Sequence, residues 1–167
     1  MQKDSEHIRM ARATDLEDIL CIYNEAIERT TAIYEYLPFD KEYIQHWWSQ
    51  RQTENWPIVV TECDGTVVGF ATYGTFRARP AYRTTMEHSV YVLESHRGMG
   101  IGKILLARIV EEARKNGVHV LIGGIDASNT QSIRMHEKEG FQVAGHLHEV
   151  AYKFDRWLDL VFMEKKL

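Results

Sequence analysis

The chain is short of the features that mark a specialised environment. Its two cysteines, Cys21 and Cys63, lie far apart, and neither has a C-x-x-C neighbour, so there is no disulfide framework to stabilise a small secreted fold. No apolar run approaches the ~20 residues of a membrane-spanning helix. The opening M-Q-K-D-S-E-H is polar and lacks the apolar segment of a signal peptide. Neither sign of charge dominates. The formal net charge is −4, which gives no reason to expect nucleic acid or an anionic membrane as partner. Internal repeats and low-complexity segments are also missing. These absences lead to the expectation of a cytoplasmic protein. The rest of the composition is ordinary: 167 residues, 44% hydrophobic and 26% charged. That length suits one domain with a proper core and is short for two, so a single domain over 1–167 is expected.

One stretch stands out, from Glu87 to Gly117. E-H-S-V-Y-V is β-branched and aromatic, as a strand should be. Ile104, Leu105, Ile109 and Val110 follow at helical spacing, and Asn116-Gly117 is a C-terminal stop. Between them a glycine-rich turn opens directly into the helix. First-turn N–H groups have no intrahelical partner and the helix dipole favours negative charge there, so strand, turn and helix form an anion site. Gly98, Gly100 and Gly102 are spaced G-x-G-x-G. A dinucleotide G-x-G-x-x-G would need glycine at Lys103. A Walker A loop would need a hydroxyl at Ile104. Both nucleotide readings fail on those residues.

The flanks read as alternating strands and helices. Ile8 to Ala13 is a short strand. Thr14-Asp15-Leu16-Glu17 has capping-box form with Thr14 as N-cap, ahead of a helical face of Leu16, Ile19, Leu20, Tyr23 and Ile27. Asp40 heads a second helix with Tyr43, Ile44, Trp47 and Trp48, the tryptophans read as core. Residues 58–62 and 67–73 flank Asp64-Gly65, the signature of a type I′ hairpin. Gly74 to Thr85 is a basic loop interrupted by Pro80. H-V-L-I-G-G-I after Gly117 reads as a buried strand. Asn129 or Ser128 caps a short helix that stops at Gly140, and 141–148 and 157–163 close the sheet. The sum is an α/β fold.

Arg97-x-x-Gly100-x-Gly102 resembles the pyrophosphate loop of the GNAT superfamily of N-acetyltransferases, in which backbone amides wrap the diphosphate of coenzyme A. A Cβ at the glycines would block that approach, and each charge-assisted amide–phosphate bond contributes about 1.5–3 kcal/mol. A second stretch, N-x-x-S-x-R-M-H-x-K-x-G-F from Asn129 to Phe141, is similar to the other GNAT motif, N-x-x-A-x-x-L-Y-x-K-x-G-F, with His136 in place of the tyrosine. R-M-H-E, F-R-A-R-x-A-Y, E-H-S-V-Y-V and K-F-D-R-W-L-D-L-V-F-M resemble the branch of phosphinothricin and methionine sulfoximine acetyltransferases, which includes L-amino acid N-acyltransferases. The likeness runs from Ile8 to Leu167.

The resemblance implies a GNAT fold, a mixed central sheet of about seven strands flanked by about four helices. It implies acetyl-CoA as co-substrate, a small amino acid or its toxic analogue as acceptor, and a homodimer in which Trp157, Leu158 and Phe162 are candidates for an apolar interface. Arg97, Gly98, Met99, Gly100, Ile101, Gly102 and Lys103 would hold the diphosphate, with Arg108 as a further cation. The backbone of Val90, Tyr91 and Val92, with Asn129 and Ser132, would bind the arm and the acyl oxygen. An amine arrives as ammonium and must lose a proton, so Glu87 is the candidate base. His136 is the candidate donor to the departing thiolate, set against a purely structural histidine. Arg77 and Arg79 would fork onto an anionic substrate group, with Phe76, Tyr82 and Thr85 beside them. His146 and His148 share a strand face, but no carboxylate or thiolate partner is evident, so no metal is assigned. Two other readings stay open: acetylation of proteins or peptides, and a non-catalytic acyl-CoA-binding module.

Overall fold

The computed structural model describes residues 7–167. Seven strands form one sheet: β1 (His7–Met10), β2 (Ile58–Cys63), β3 (Thr66–Thr75), β4 (Thr85–Val92), β5 (Val120–Asp126), β6 (Gln142–Lys153) and β7 (Arg156–Lys166). Four α-helices cover it: α1 (Leu16–Arg29), α2 (Lys41–Thr53), α3 (Ile101–Lys115) and α4 (Thr130–Lys138). The strand order is β1-β2-β3-β4-β5-β7-β6. Among the described residues only β4 and β5 run parallel, as the α3 crossover between them requires.

Strand alternation divides the core in two. Val59, Val68, Ala71, Leu121 and Ile125 face α3, which buries Ile101, Leu105, Leu106, Ile109, Val110 and Ala113. Ile104, expected on that face, is exposed instead: it lies one position off the buried stripe. On the other face Val60, Val67 and Phe70 pack against Ile19, Ile22 and Tyr23 of α1 and Ile44 and Trp47 of α2. Tyr23 meets Phe70, Tyr91 and Trp47 at centroid distances of 4.9, 5.3 and 5.6 Å, within the range of favourable aromatic pairs. Trp47 is core, as the sequence predicts, and Trp48 is partly buried against the same cluster.

Several local expectations hold. Asp64 and Gly65 both adopt positive φ, as a type I′ turn demands. Asp40 caps α2 by accepting from the Tyr43 N–H at 2.8 Å, and Asn129 caps α4 by accepting from the Ser132 N–H at 3.1 Å. Three expectations need correction. Thr14 is not the cap of α1: residues 13–15 form a 3₁₀ turn, and the Asp15 carboxylate accepts from the Arg12 N–H at 2.7 Å. The reason is Arg9, whose guanidinium bridges Asp15 and Glu62 at 2.7 and 2.8 Å and draws the carboxylate inward. The last two strands are longer than 141–148 and 157–163. Their turn, Phe154-Asp155, has positive φ at both residues without a glycine to signal it, and a bulge between Leu147 and Ala151 breaks the alternation. Leu158 is buried in the core and offers nothing to a partner.

Burial pushes the Asp15 carboxyl upward, but the hydrogen bonds from Arg9 and the Arg12 N–H outweigh it and hold the pKa below the ordinary 3.8. Asp15→Ala is expected to lower stability by about 1–2 kcal/mol in urea unfolding at pH 7. A group with a depressed folded-state pKa stabilises above its unfolded pKa. The gap between the two proteins should therefore narrow as pH falls below 3.8.

Candidate active site

The site is built where β4 and β5 part. Their parallel pairing runs from Thr85↔Val120 to His88↔Gly123 and stops there, while β4 continues to Val92 and β5 to Asp126. The unpaired ends open a cleft. Leu93 leads into a short turn at 94–96, then Arg97 and the glycines, and α3 begins at Ile101. Gly98 and Gly100 have φ of +78° and +92°, the left-handed region where a side chain is strained. Gly102 is ordinary in φ and serves a different need, since a Cβ there would lie 3.3 Å from Met135 Sδ.

A cleft of about 860 Å³ runs from this turn along the β4 end to α4. Its lining brings together Val90, Tyr91, Val92, Arg97, Gly98, Gly100, Ile101, Gly102, Lys103, Asn129 and Ser132. Of the predicted coenzyme residues Met99, 61% exposed, and Arg108 fall outside it. Arg108 is turned away and pairs with Glu112 at 3.0 Å, so it is no phosphate ligand. The fit to a pyrophosphate is chemical as well as spatial: outward first-turn amides, glycines that leave them bare, and Arg97 and Lys103 alongside. The lining also holds Arg29, Arg134, Lys138 and Arg156, which the sequence does not reveal because no local motif marks them.

Lys153 is another residue without a sequence signal. Buried at 4% exposure, it donates to the carbonyls of Ile27, Ile33 and Thr30 at 2.6, 2.7 and 2.8 Å. It thereby satisfies orphaned carbonyls at and beyond the end of α1 and holds Thr30–Ala32, which line the cleft, against the β6–β7 hairpin.

Gly123 and Gly124 divide the chemistry between the two faces of the sheet. On the α3 face a Cβ on Gly123 would sit 2.8 Å from His88 Cε1 and 3.4 Å from His136 Nε2, so two imidazoles occupy the space of a missing side chain. Their Nε2 atoms are 2.9 Å apart, and His136 Nδ1 lies 2.8 Å from the Ser132 carbonyl. A carbonyl only accepts, so His136 carries its proton on Nδ1, its Nε2 accepts, and His88 donates from Nε2. Burial lowers both pKa values, that of His88 to about 3 with His136 adding to the effect. This arrangement favours the structural histidine over the donor to the thiolate. His136 is neutral at pH 7, both ring nitrogens are engaged inside the protein, and it forms a wall of a smaller cavity of about 80 Å³.

On the opposite face stands Glu87. A Cβ on Gly124 would lie 3.1 Å from Glu87 Oε1, 3.6 Å from Leu160 and 3.7 Å from Phe162. The Phe162 ring meets Phe76 edge-on at 6.1 Å, and Phe76 meets Tyr82 at 6.0 Å. The predicted Phe76 and Tyr82 are thus gathered beside Glu87 through Phe162, which supplies a wall to this face. Thr85 lies two residues before Glu87 on the same strand face. Arg77 sits over the Phe76 ring at 5.4 Å. Arg79 precedes the short turn at Pro80–Tyr82, and both arginines are exposed. Burial raises the Glu87 pKa above its ordinary 4.5. The Tyr91 ring is partly buried in the aromatic cluster.

His146 and His148 do find a carboxylate. Asp159 Oδ2 lies 3.0 and 2.9 Å from their ring nitrogens, and its Oδ1 accepts from the Glu149 N–H at 2.9 Å. The Glu149 N–H and the two histidines hold the Asp159 pKa down to about 2. The ligand atoms of the three side chains fall within 4.8 Å of one another, on the exposed hairpin and outside the lining of both cavities.

A parted pair of parallel strands, a bare helix N-terminus at their mouth and a carboxylate beside them define a coenzyme A-dependent acyltransferase. Comparison with known proteins agrees. The acetyltransferase (GNAT) family matches residues 17–141. The chain is 43% identical over 164 residues to the L-methionine sulfoximine/L-methionine sulfone acetyltransferase of Pseudomonas aeruginosa, covering 98% of this chain and 95% of that one. It is 34% identical over 161 residues to the phosphinothricin N-acetyltransferase of Alcaligenes faecalis, covering 96% and 82%. A Salmonella typhimurium protein solved with its cofactor acetyl-CoA superposes with a TM-score of 0.95 at 41% identity, covering 98% of this chain and 94% of that one. The protein belongs to the GNAT family and is an N-acetyltransferase that uses acetyl-CoA.

Gly100→Val should remove the coenzyme site while leaving the core intact. The valine side chain would block the amide–phosphate hydrogen bonds at this turn, each contributing about 1.5–3 kcal/mol. Titration calorimetry should then show coenzyme A affinity lower by at least ~100-fold, and near-UV circular dichroism should be unchanged.

Proposed function

We propose that this protein is a single-domain, cytoplasmic enzyme that acetylates the free α-amino group of a small glutamate- or methionine-like amino acid or its toxic analogue: methionine sulfoximine, methionine sulfone or phosphinothricin. The observation that carries the reading is the setting of Glu87. A half-buried carboxylate stands against bare Gly124, with an apolar wall of Phe162, Phe76 and Leu160 beside it and Arg77 and Arg79 in the adjoining loop. That enclosure suits a short side chain with an anionic group. A protein substrate would favour an open acidic groove. The relatives named for amino-acid analogues support the same class. No helix of the described residues is long and apolar enough to cross a membrane, and the cytoplasm is where acetyl-CoA is supplied.

Acetyl-CoA supplies a thioester to the cleft. The residues of the chain do the rest. Glu87, its basicity raised by burial, takes a proton from the substrate ammonium and frees the amine lone pair. The unpaired backbone N–H groups of the β4 end are suited to receive the developing oxyanion. Arg77 and Arg79 hold the acid group of the substrate. Arg97, Lys103 and the α3 amides hold the diphosphate, and Asn129 and Ser132 hold the arm. His136 keeps the cavity wall in register through Ser132 and His88.

Turnover of the three analogues, read as release of free coenzyme A, tests the substrate class, and failure of all three would overturn it. Glu87→Gln should lower kcat by about 10²–10⁴-fold with little change in KM. The base must be ionised and burial raises its pKa, so activity should fall on acidification at a pH above 4.5, and this limb should vanish in the variant.

The resemblance to the phosphinothricin and methionine sulfoximine branch implies a homodimer, which we propose here as well. β6 is an edge strand of 12 residues, and Val143, Leu147, Val150, Tyr152 and Trp157 on the hairpin are exposed. An edge of this length needs cover. Trp157→Lys should convert the protein to a monomer in sedimentation velocity; a wild type that sediments as a monomer would exclude the dimer.

A further inference from the structure

The geometry points to Asp126 as the anchor of the substrate's α-ammonium group, a role that rests on the amino-acid reading above. Asp126 ends β5 and is 5% exposed. Its Oδ1 accepts from the Ser128 N–H at 2.8 Å and from the Ser128 hydroxyl, which forms the turn into α4. Its Oδ2 is buried and has no hydrogen-bond partner among the described residues. A buried carboxylate oxygen without a donor is costly, and sites of this kind are completed by a ligand or a bound molecule.

Its position says which ligand. Alternation places Leu121, Gly123 and Ile125 toward α3, and Ile122, Gly124 and Asp126 on the other face. Glu87 occupies that same other face and reaches Gly124. Two strand positions span about 6.6 Å, so Asp126 lies one side-chain step beyond the glycine that Glu87 touches. The small cavity lined by Ser89, Gly124, Asp126 and Asn129 occupies the gap between the parted strands. In the proposed complex a single nitrogen carrying three N–H bonds enters this cavity to reach Asp126 and turns a second N–H toward Glu87, which stands on the same face outside the cavity lining. One N–H goes to Asp126 Oδ2 and stays there. Another goes to Glu87, which accepts the proton to become a carboxylic acid as the ammonium becomes an amine. The Tyr34 phenol, which donates to the Asp159 carbonyl at 3.5 Å, borders the Asp126 carboxylate. Burial, then the charge of Asp126 and the approach of the phenol O–H to its carboxylate, push its pKa up to about 12, so Tyr34 stays protonated as a weak neutral donor that an ammonium would outcompete.

The test uses calorimetry on enzyme saturated with coenzyme A, with L-methionine sulfone and its deaminated counterpart, 4-(methylsulfonyl)butanoic acid. Wild type should prefer the amine-bearing ligand. Asp126→Asn keeps an oxygen for Ser128 and replaces the other acceptor with an amide NH₂. It should weaken sulfone binding by at least ~30-fold, abolish the preference, and leave coenzyme A affinity within about twofold. Ser128→Ala removes one of the two hydrogen bonds to Asp126 Oδ1 but keeps the carboxylate, so it should weaken sulfone binding far less than Asp126→Asn and retain the preference. Retained preference in Asp126→Asn overturns the proposal. An equal loss of coenzyme A affinity also overturns it, because Asp126 then serves the coenzyme arm. The same loss of sulfone binding in Ser128→Ala overturns it in favour of the turn. If wild type itself binds neither ligand, the amino-acid reading fails, a result distinct from all of these.

Discussion

β4 and β5 hold together through the His88–Gly123 pair and then separate, and every functional feature of the molecule is arranged around that separation. Unpaired backbone in a sheet interior is unfavourable unless something else satisfies it. Here the parted ends border the coenzyme cleft, so backbone groups that would otherwise be left without partners can serve a ligand. The Gly123-Gly124 pair makes the geometry possible. With no Cβ at either position, two imidazoles pack tight to one side of the sheet and a carboxylate lies against the other. A branched residue at either position would displace one set or the other.

The two cores fix this opening from opposite sides. α3 buries six side chains against one face, so its N-terminus cannot drift from the mouth of the cleft. The aromatic cluster around Tyr23, Phe70 and Tyr91 locks the other face of β4 and holds the strand that carries Glu87. Lys153 then ties the segment after α1 to the hairpin at the far edge. Its pKa is lowered by burial, the cost of placing an ammonium among carbonyls rather than in water. Three carbonyl acceptors offset that cost and leave the cleft wall rigid where Thr30, Thr31 and Ala32 contribute to it.

The electrostatic design is one of separated roles. Two histidines that would titrate near neutrality in water are kept neutral by burial, while a carboxylate is made more basic by the same means. The tautomer chain from the Ser132 carbonyl through His136 to His88 engages the imidazole donors, which leaves Glu87 on the opposite face as the base we propose. A histidine in a motif position normally held by tyrosine is here a structural part of the wall.

Much of this is legible in the chain itself, and the reason is range. The glycine turn, the start and stop of α3, the Asp64-Gly65 hairpin and the Asn129 and Asp40 caps depend on residues within a few positions of one another, where φ preference and local hydrogen bonding decide the outcome. Alternation along β4 likewise determines which residues share a face with Glu87. Tertiary structure alone decided what links distant segments: Arg9 capturing Asp15 and Glu62, Lys153 reaching the carbonyls after α1, Asp159 joining His146 and His148, and Asp126 left with an unmet acceptor on the face of Glu87. Such pairings depend on where the chain returns in space. Neither hydrophobic period nor residue propensity encodes that, because many partners of the same chemistry are available until the sheet order selects one.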